Sequence, residues 1–173
     1  HGAGTVNRAA SNPDAPPVAV DFTVAGISSS PLFGDILAAS RKDHSDFGTL
    51  VYREGDDGLE PVWHISMLDG VFPAAAYAAT GLYPMSKWLG PNHANPGLAF
   101  VDTTANGYGL ASLDAREFRV KFVGMGDCRP DFKEPPAIRY TASFRLPLWA
   151  PQERPELAGP VFSGRAPFPL EGI

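Results

Sequence analysis
The clearest signal in the chain is the strict alternation of Phe118, Arg119, Val120, Lys121 and Phe122. Successive side chains of a strand point to opposite faces. The run therefore predicts a strand with Phe118, Val120 and Phe122 on a core and Arg119 and Lys121 in water. Ahead of it, residues 98–102 and 108–113 read as two more strands. Asn95-Pro96-Gly97 opens the first, and Asn106-Gly107 separates the pair. Asn-Gly tolerates positive φ, which predicts a tight turn there; residues 114–117 predict a second turn. The three strands are expected to form one contiguous antiparallel block. Residues 138–148 alternate again and predict another strand. Residues 18–24 predict a buried strand, and 49–52 a short one. Residues 32–39 have room for two helical turns. Residues 74–83 are rich in Ala and Tyr and predict a helix, with Pro73 near its first turn and Gly81 and Pro84 at its end. Residues 1–17 and 41–46 read as loops, and 54–60 as an acidic turn. Much strand with few short helices predicts an α+β, β-rich fold.

Composition narrows the function classes. The chain has 173 residues, 44% hydrophobic and 19% charged, which is one globular domain with a sizeable core. The net charge of −5 argues against non-specific nucleic-acid binding. No run approaches the roughly 18 apolar residues that span a bilayer, so no membrane partner is expected. There is no signal-peptide pattern and no initiator Met, and the chain is read as processed or as a fragment. The single cysteine, Cys128, cannot form an internal disulfide and reads as an incidental thiol.

Four histidines, His1, His44, His64 and His93, stand apart at no ligand spacing, so no internal metal motif stands out. Asp35 and the pair Asp43-His44 read as surface-loop residues. His64, between Trp63 and Ile65, reads as a hydrogen-bonded histidine of the core or its rim. Tyr83 and Trp88 flank a Gly/Pro-rich loop, expected to anchor on the core rather than line a substrate mouth. Ser28 to Ser30 offers hydroxyls for phosphate oxygens or for capping the helix at Pro31.

Two stretches resemble one family. Asn95-Pro96, Asn106-Gly107-Tyr108-Gly109, the turn from Asp114 to Glu117 and the basic–apolar alternation from Phe118 to Phe122 resemble the closing segment of the alkaline phosphatase D (PhoD-like) metallophosphoesterases. Upstream, the apolar run from Val18 to Phe22 and the serine-rich Gly26 to Ser30 resemble that family's apolar strand and Ser/Thr loop. The family often has His after Asn-Pro; this chain has Gly97. The resemblance implies that residues 1–150 are the C-terminal half of a metallophosphoesterase-like domain, a β-sandwich flanked by helices, with 151–173 a Pro-rich extended tail. It implies hydrolysis of phosphate mono- or diesters at a divalent or mixed metal centre (Ca, Fe, Zn or Mn). It further implies a periplasmic or secreted protein and, as partner, an N-terminal polypeptide of the same precursor that carries most metal ligands. The family's Gly-Asp-x-His loop precedes its apolar strand, and His1 lies 21 residues before Phe22. His1 is thereby a candidate metal ligand. Two other readings of His1 stay open: a solvated terminus, and a copper-binding histidine brace formed by the α-amino group and imidazole of an oxidative enzyme. A non-catalytic β-rich binding module is the remaining alternative for the chain.

Overall fold
A computed structural model describes residues 1–170, except 9–11, 13, 14, 44, 45, 56, 57, 127, 129–132, 151 and 152. His44 thus lies outside the described residues. The fold is β-rich with few helices, and its sheets are antiparallel.

Two sheets share one core. The first has the order β2–β1–β5, with β1 Gly2–Asn7 between β2 Pro17–Thr23 and β5 Leu98–Val101. The second runs in chain order: β6 Asn106–Leu113, β7 Glu117–Met125, β8 Ile138–Pro147 and β9 Ala158–Gly164. Ala3 and Phe100 from the first sheet meet Val120, Phe122, Tyr140, Ala142 and Phe144 from the second. The expected alternation on β7 holds: Val120 and Phe122 are buried, Phe118 packs against the core, and Arg119 and Lys121 are exposed. Asp114 fixes the preceding turn by accepting the N–H groups of Arg116 and Glu117 at 2.8 and 3.0 Å.

The contiguous three-strand block does not form. β6 pairs with β7, but β5 pairs with β1 in the other sheet. Asn106 and Gly107 make no tight turn; they are the first residues of β6, paired with Met125 and Gly124. The chain turns earlier, at Asp102. One carboxylate oxygen of Asp102 accepts the N–H groups of Thr104 and Ala105 at 2.7 and 3.3 Å. An Asx turn of this kind redirects the backbone between sheets.

Other expectations change, beginning with residues 1–17, where β1 replaces the predicted loop. β2 lies at a sheet edge, and Val18 within it and Val24 just beyond its end are about half exposed rather than buried. The predicted short strand at 49–52 is a 3-10 turn, Asp46–Leu50, which delivers Val51 into the interior. The acidic turn is a small hairpin, β3 Arg53–Gly55 with β4 Gly58–Glu60. Residues 158–164 of the Pro-rich tail form β9, whose Phe162 packs on the main core.

Beside the sheets lies a small helical layer. α1 Leu32–Asp43 is followed by α2 Val62–Leu68, α3 Val71–Thr80 and the single turn α4 Tyr83–Ser86. Helix α3 ends as predicted at Gly81, whose φ of 70° is the left-handed cap that favours glycine. Val62, Ile65, Ala74 and Tyr77 form a second core, sealed by Phe168 from the chain's end. Tyr83 anchors the Gly/Pro-rich loop by donating to Asp69 at 2.8 Å. Trp88 does not anchor it: the indole is 82% exposed. No helix is long and apolar enough to cross a membrane among the described residues.

Candidate functional site
The site is built where β1 begins and β5 ends. His1 is buried, and its ring stacks on Phe122 with centroids 5.0 Å apart and planes 24° from parallel. Its main chain is tied to Asp102 twice. The α-amino nitrogen donates to the Asp102 carbonyl at 2.7 Å, and the Asp102 N–H donates to the His1 carbonyl at 2.8 Å. His1 Nδ1 accepts the Ala25 N–H at 3.2 Å. A neutral imidazole that accepts at Nδ1 carries its proton on Nε2. That Nε2 is buried with no hydrogen-bond partner, the one side-chain atom so placed among the described residues.

Gly107 explains how the ring fits. A Cβ there would stand 2.7 Å from His1 Nε2 and 2.0 Å from the Val123 carbonyl oxygen. Only glycine leaves that space, so the Asn-Gly pair serves the imidazole and not a turn. Asn106 is buried as well. Its amide donates to the carbonyls of Gly26 and Ser29 at 3.0 and 2.7 Å. The Gly107 N–H also donates to Gly26, at 3.3 Å.

Asp102 is almost fully buried yet spent on structure. Besides the Thr104 and Ala105 N–H groups, it accepts the Thr104 hydroxyl at 2.6 Å and the Tyr140 hydroxyl at 2.6 Å. Burial opposes its charge; His64 and the donors of Thr104 and Tyr140 outweigh that and hold its pKa below the ordinary carboxylate value. Burial, with Asp102 alongside, pushes the Tyr140 hydroxyl far above its usual range, so the phenol stays a donor. With its oxygens occupied in this way, Asp102 offers little to a cation.

His64 is the core histidine expected. It is fully buried, with Nδ1 2.7 Å from the Phe168 carbonyl, and Nε2 2.9 Å from the Thr103 N–H and 2.8 Å from the Thr103 hydroxyl. Its Nδ1 must therefore be the donor and Nε2 the acceptor. Burial lowers its pKa, against the pull of Asp102. The sign follows. The unfolded chain takes up a proton near pH 6.5 while the folded one does not, so stability is lost as pH falls below about 6.5, by up to about 1.4 kcal/mol per pH unit. Asp102, with its depressed pKa, adds a separate loss only at more acidic pH, below the ordinary carboxylate value. Urea unfolding of the isolated chain at pH 7.5 and 5.5 is expected to show the first loss, and His64→Gln to flatten it. An equal slope in the variant would remove His64 as the cause.

The outer face of the β2–β1–β5 sheet carries a cleft of about 640 Å³. Gly2, Gly4, Thr23, Val24, Leu32 and Leu98 are among the residues that line it. Val24 and Leu32 are each about half exposed. Strands β2 and β5 both present unpaired edges among the described residues.

The remaining sequence candidates are scattered. Asp35, Ser28 to Ser30 and His93 are exposed, and Cys128 is half-buried with its thiol on the Gly126 carbonyl. No group of three or more His, Cys, Asp or Glu placed to hold a metal occurs among the described residues. For a metal at this corner, the chain supplies one unpartnered nitrogen, His1 Nε2, beside the side-chain-free surface of Gly107. With Nδ1 accepting from Ala25 that nitrogen carries the ring proton, so it would serve as a ligand only with the proton moved to Nδ1 and the Ala25 contact broken. A copper brace needs the α-amino nitrogen and Nδ1 to converge, but these face the Asp102 carbonyl and the Ala25 N–H respectively. Sequence reasoning missed Asn106 as a buried side chain and Gly107 as a packing position; the serine loop and the Asn-Gly pair were both visible, but nothing local couples residues 80 apart. No protein-family model, curated protein or solved structure matches this chain.

Proposed function
We propose that this chain is the C-terminal part of a metal-dependent phosphoesterase of the PhoD-like kind. Its proposed role is to contribute His1 to a centre completed by an N-terminal polypeptide of the same precursor, in a periplasmic or secreted protein that hydrolyses phosphate mono- or diesters. The observation that carries this reading is the pairing of an incomplete site with an open-edged sheet. His1 has one orphaned nitrogen, and the sheet that begins beside it has two open edges and a largely apolar cleft on its outer face. Half of a sandwich leaves a surface of this sort for its complement. The two segments that resemble the family, β2 with its serine loop and β5 to β7, lie on either side of this corner, and that supports the reading further.

When bound, the metals would clamp phosphoryl oxygens and activate a water. This chain's own share is to present the imidazole. The ring is seated by stacking on Phe122; to ligate through Nε2 it would move its proton to Nδ1 and release the Ala25 N–H on assembly. His1→Ala is expected to lower the metal content of the assembled protein by about 10-fold or more, on the scale of losing a ligand or its orienting partner, without unfolding it. Metal analysis after dialysis reads this. Unchanged metal content in a folded His1→Ala protein would remove His1 from the centre.

A further inference from the structure
We propose that the cleft between the hairpin β3–β4 and the ends of β8 and β9 binds an organic anion: a phosphate or carboxylate on Arg139 and Arg165, with an apolar group against Phe33 and Phe168. His1 does not line this cleft, which shares only Asp102 and Ala105 with the cleft on the β2–β1–β5 sheet. The site therefore stands whether or not His1 ligates a metal.

The cleft measures about 960 Å³ and lies where the helical layer meets the sheets. Its size is at the upper end for small-molecule sites, roughly 300–1,000 Å³. Arg139 on β8 and Arg165 just past β9 line it from adjoining strands. The Arg165 N–H donates to the Arg139 carbonyl at 3.1 Å, so the two backbones are held side by side. Both residues are exposed. Two guanidiniums on one wall repel each other, and an oxyanion placed between them offsets that cost. Guanidinium is also the side-chain group whose fork of donors matches phosphate and carboxylate oxygens.

The rest of the lining fits the same ligand. Two carboxylates belong to the cleft, Glu60 and Asp102, and both are held by donors of their own. Glu60 accepts Arg53 at 3.1 Å and the Tyr77 hydroxyl at 2.7 Å. Asp102 is buried and accepts the hydroxyls of Thr104 and Tyr140. A cation would have to displace these donors, whereas an anion meets arginine N–H groups at the wall. Phe33, Leu59, Pro61 and Phe168 supply an apolar surface beside them. A bare phosphate leaves that surface in water. An aryl or alkyl group attached to the phosphate covers it, and that burial adds to the affinity.

The experiment titrates the nitrogen-15-labelled 173-residue chain with phenyl phosphate. A chelator is present, and salt at about 0.15 M screens general attraction. Saturable shifts are expected at the backbone and side-chain resonances of Arg139 and Arg165 and at the Phe168 amide. Inorganic phosphate should bind about 10-fold or more weakly, because it leaves the apolar surface uncovered. Phenol, which lacks the charge, should leave the arginine side chains unshifted. Arg139→Gln and Arg165→Gln are each expected to weaken phenyl phosphate binding about 10-fold or more. Both positions are exposed, so the variants should fold, and unchanged β7 amide resonances check this. Lys121→Gln removes the same charge from the exposed face of β7 and should leave the affinity unaltered. Absence of saturable binding by the wild-type chain would overturn the proposal. So would full affinity in either folded arginine variant, an equal loss in Lys121→Gln, or inorganic phosphate binding as tightly as phenyl phosphate.

Discussion
Phe122→Ala is expected to destabilise the isolated chain by about 3–5 kcal/mol. The ring is fully buried at the centre of the shared core. It stacks on His1 and lies parallel to Phe100 at 5.9 Å, and it meets Phe22 and Phe144 edge to face at 6.3 and 5.6 Å. These neighbours come from both sheets, so no single strand can shift to fill the space. A cavity that cannot collapse falls at the upper end of the cost range. The change also removes the surface on which the imidazole rests, so His1 should lose order together with the core. Urea unfolding at pH 7.5 measures the first effect, and the tautomer of His1 the second. A loss below about 1 kcal/mol would mean that the two sheets do not share the core described here.

Much of the strand architecture was legible in the sequence, because burial on one face of a strand writes itself as a period of two. Phe118 to Phe122 gave both the strand and its facing, and residues 138–148 gave β8. The Ala-rich helix and its glycine stop were legible for a similar local reason: a left-handed cap asks for glycine wherever it occurs. What the sequence hid depends on contacts between distant residues. Val18 and Val20 read as a buried strand, but burial requires a neighbour on the outer side, and β2 is an edge. Asn106-Gly107 read as a turn because its backbone preference is strong. In the fold the preference is overridden: Asp102 turns the chain first, which frees the Asn side chain for the serine loop and the glycine for the imidazole. His64 shows the opposite case, where an apolar setting was enough to predict a hydrogen-bonded core histidine. The partners themselves, Thr103 and Phe168, lie 39 and 104 residues away, and no local pattern names them. For His1, sequence supplied a candidate by resemblance, while its buried ring, locked Nδ1 and orphaned Nε2 emerged only from the fold.

The second large effect concerns activity. A dinuclear phosphoesterase centre needs several convergent protein ligands with ordered support around them. His1 brings one nitrogen, Asp102 is occupied by four donors, and His64 is held by Phe168 and Thr103. The 173 residues alone are therefore expected to hydrolyse a generic phosphodiester no faster than buffer, under calcium, iron, zinc or manganese. Joined to the proposed upstream polypeptide, they should gain metal-dependent turnover by several orders of magnitude. The apolar cleft should be covered in the process, with protection of the β1 and β2 amides against hydrogen exchange as its signature.

The most direct test is a single comparison: phosphodiester hydrolysis by the purified chain, with each metal in turn, against hydrolysis by the chain co-purified with the polypeptide encoded ahead of His1. The account predicts turnover in the assembled protein that chelators abolish, and none in the chain alone. Strong metal-dependent turnover by the 173-residue chain alone, or none in an assembled, metal-loaded protein, would contradict it.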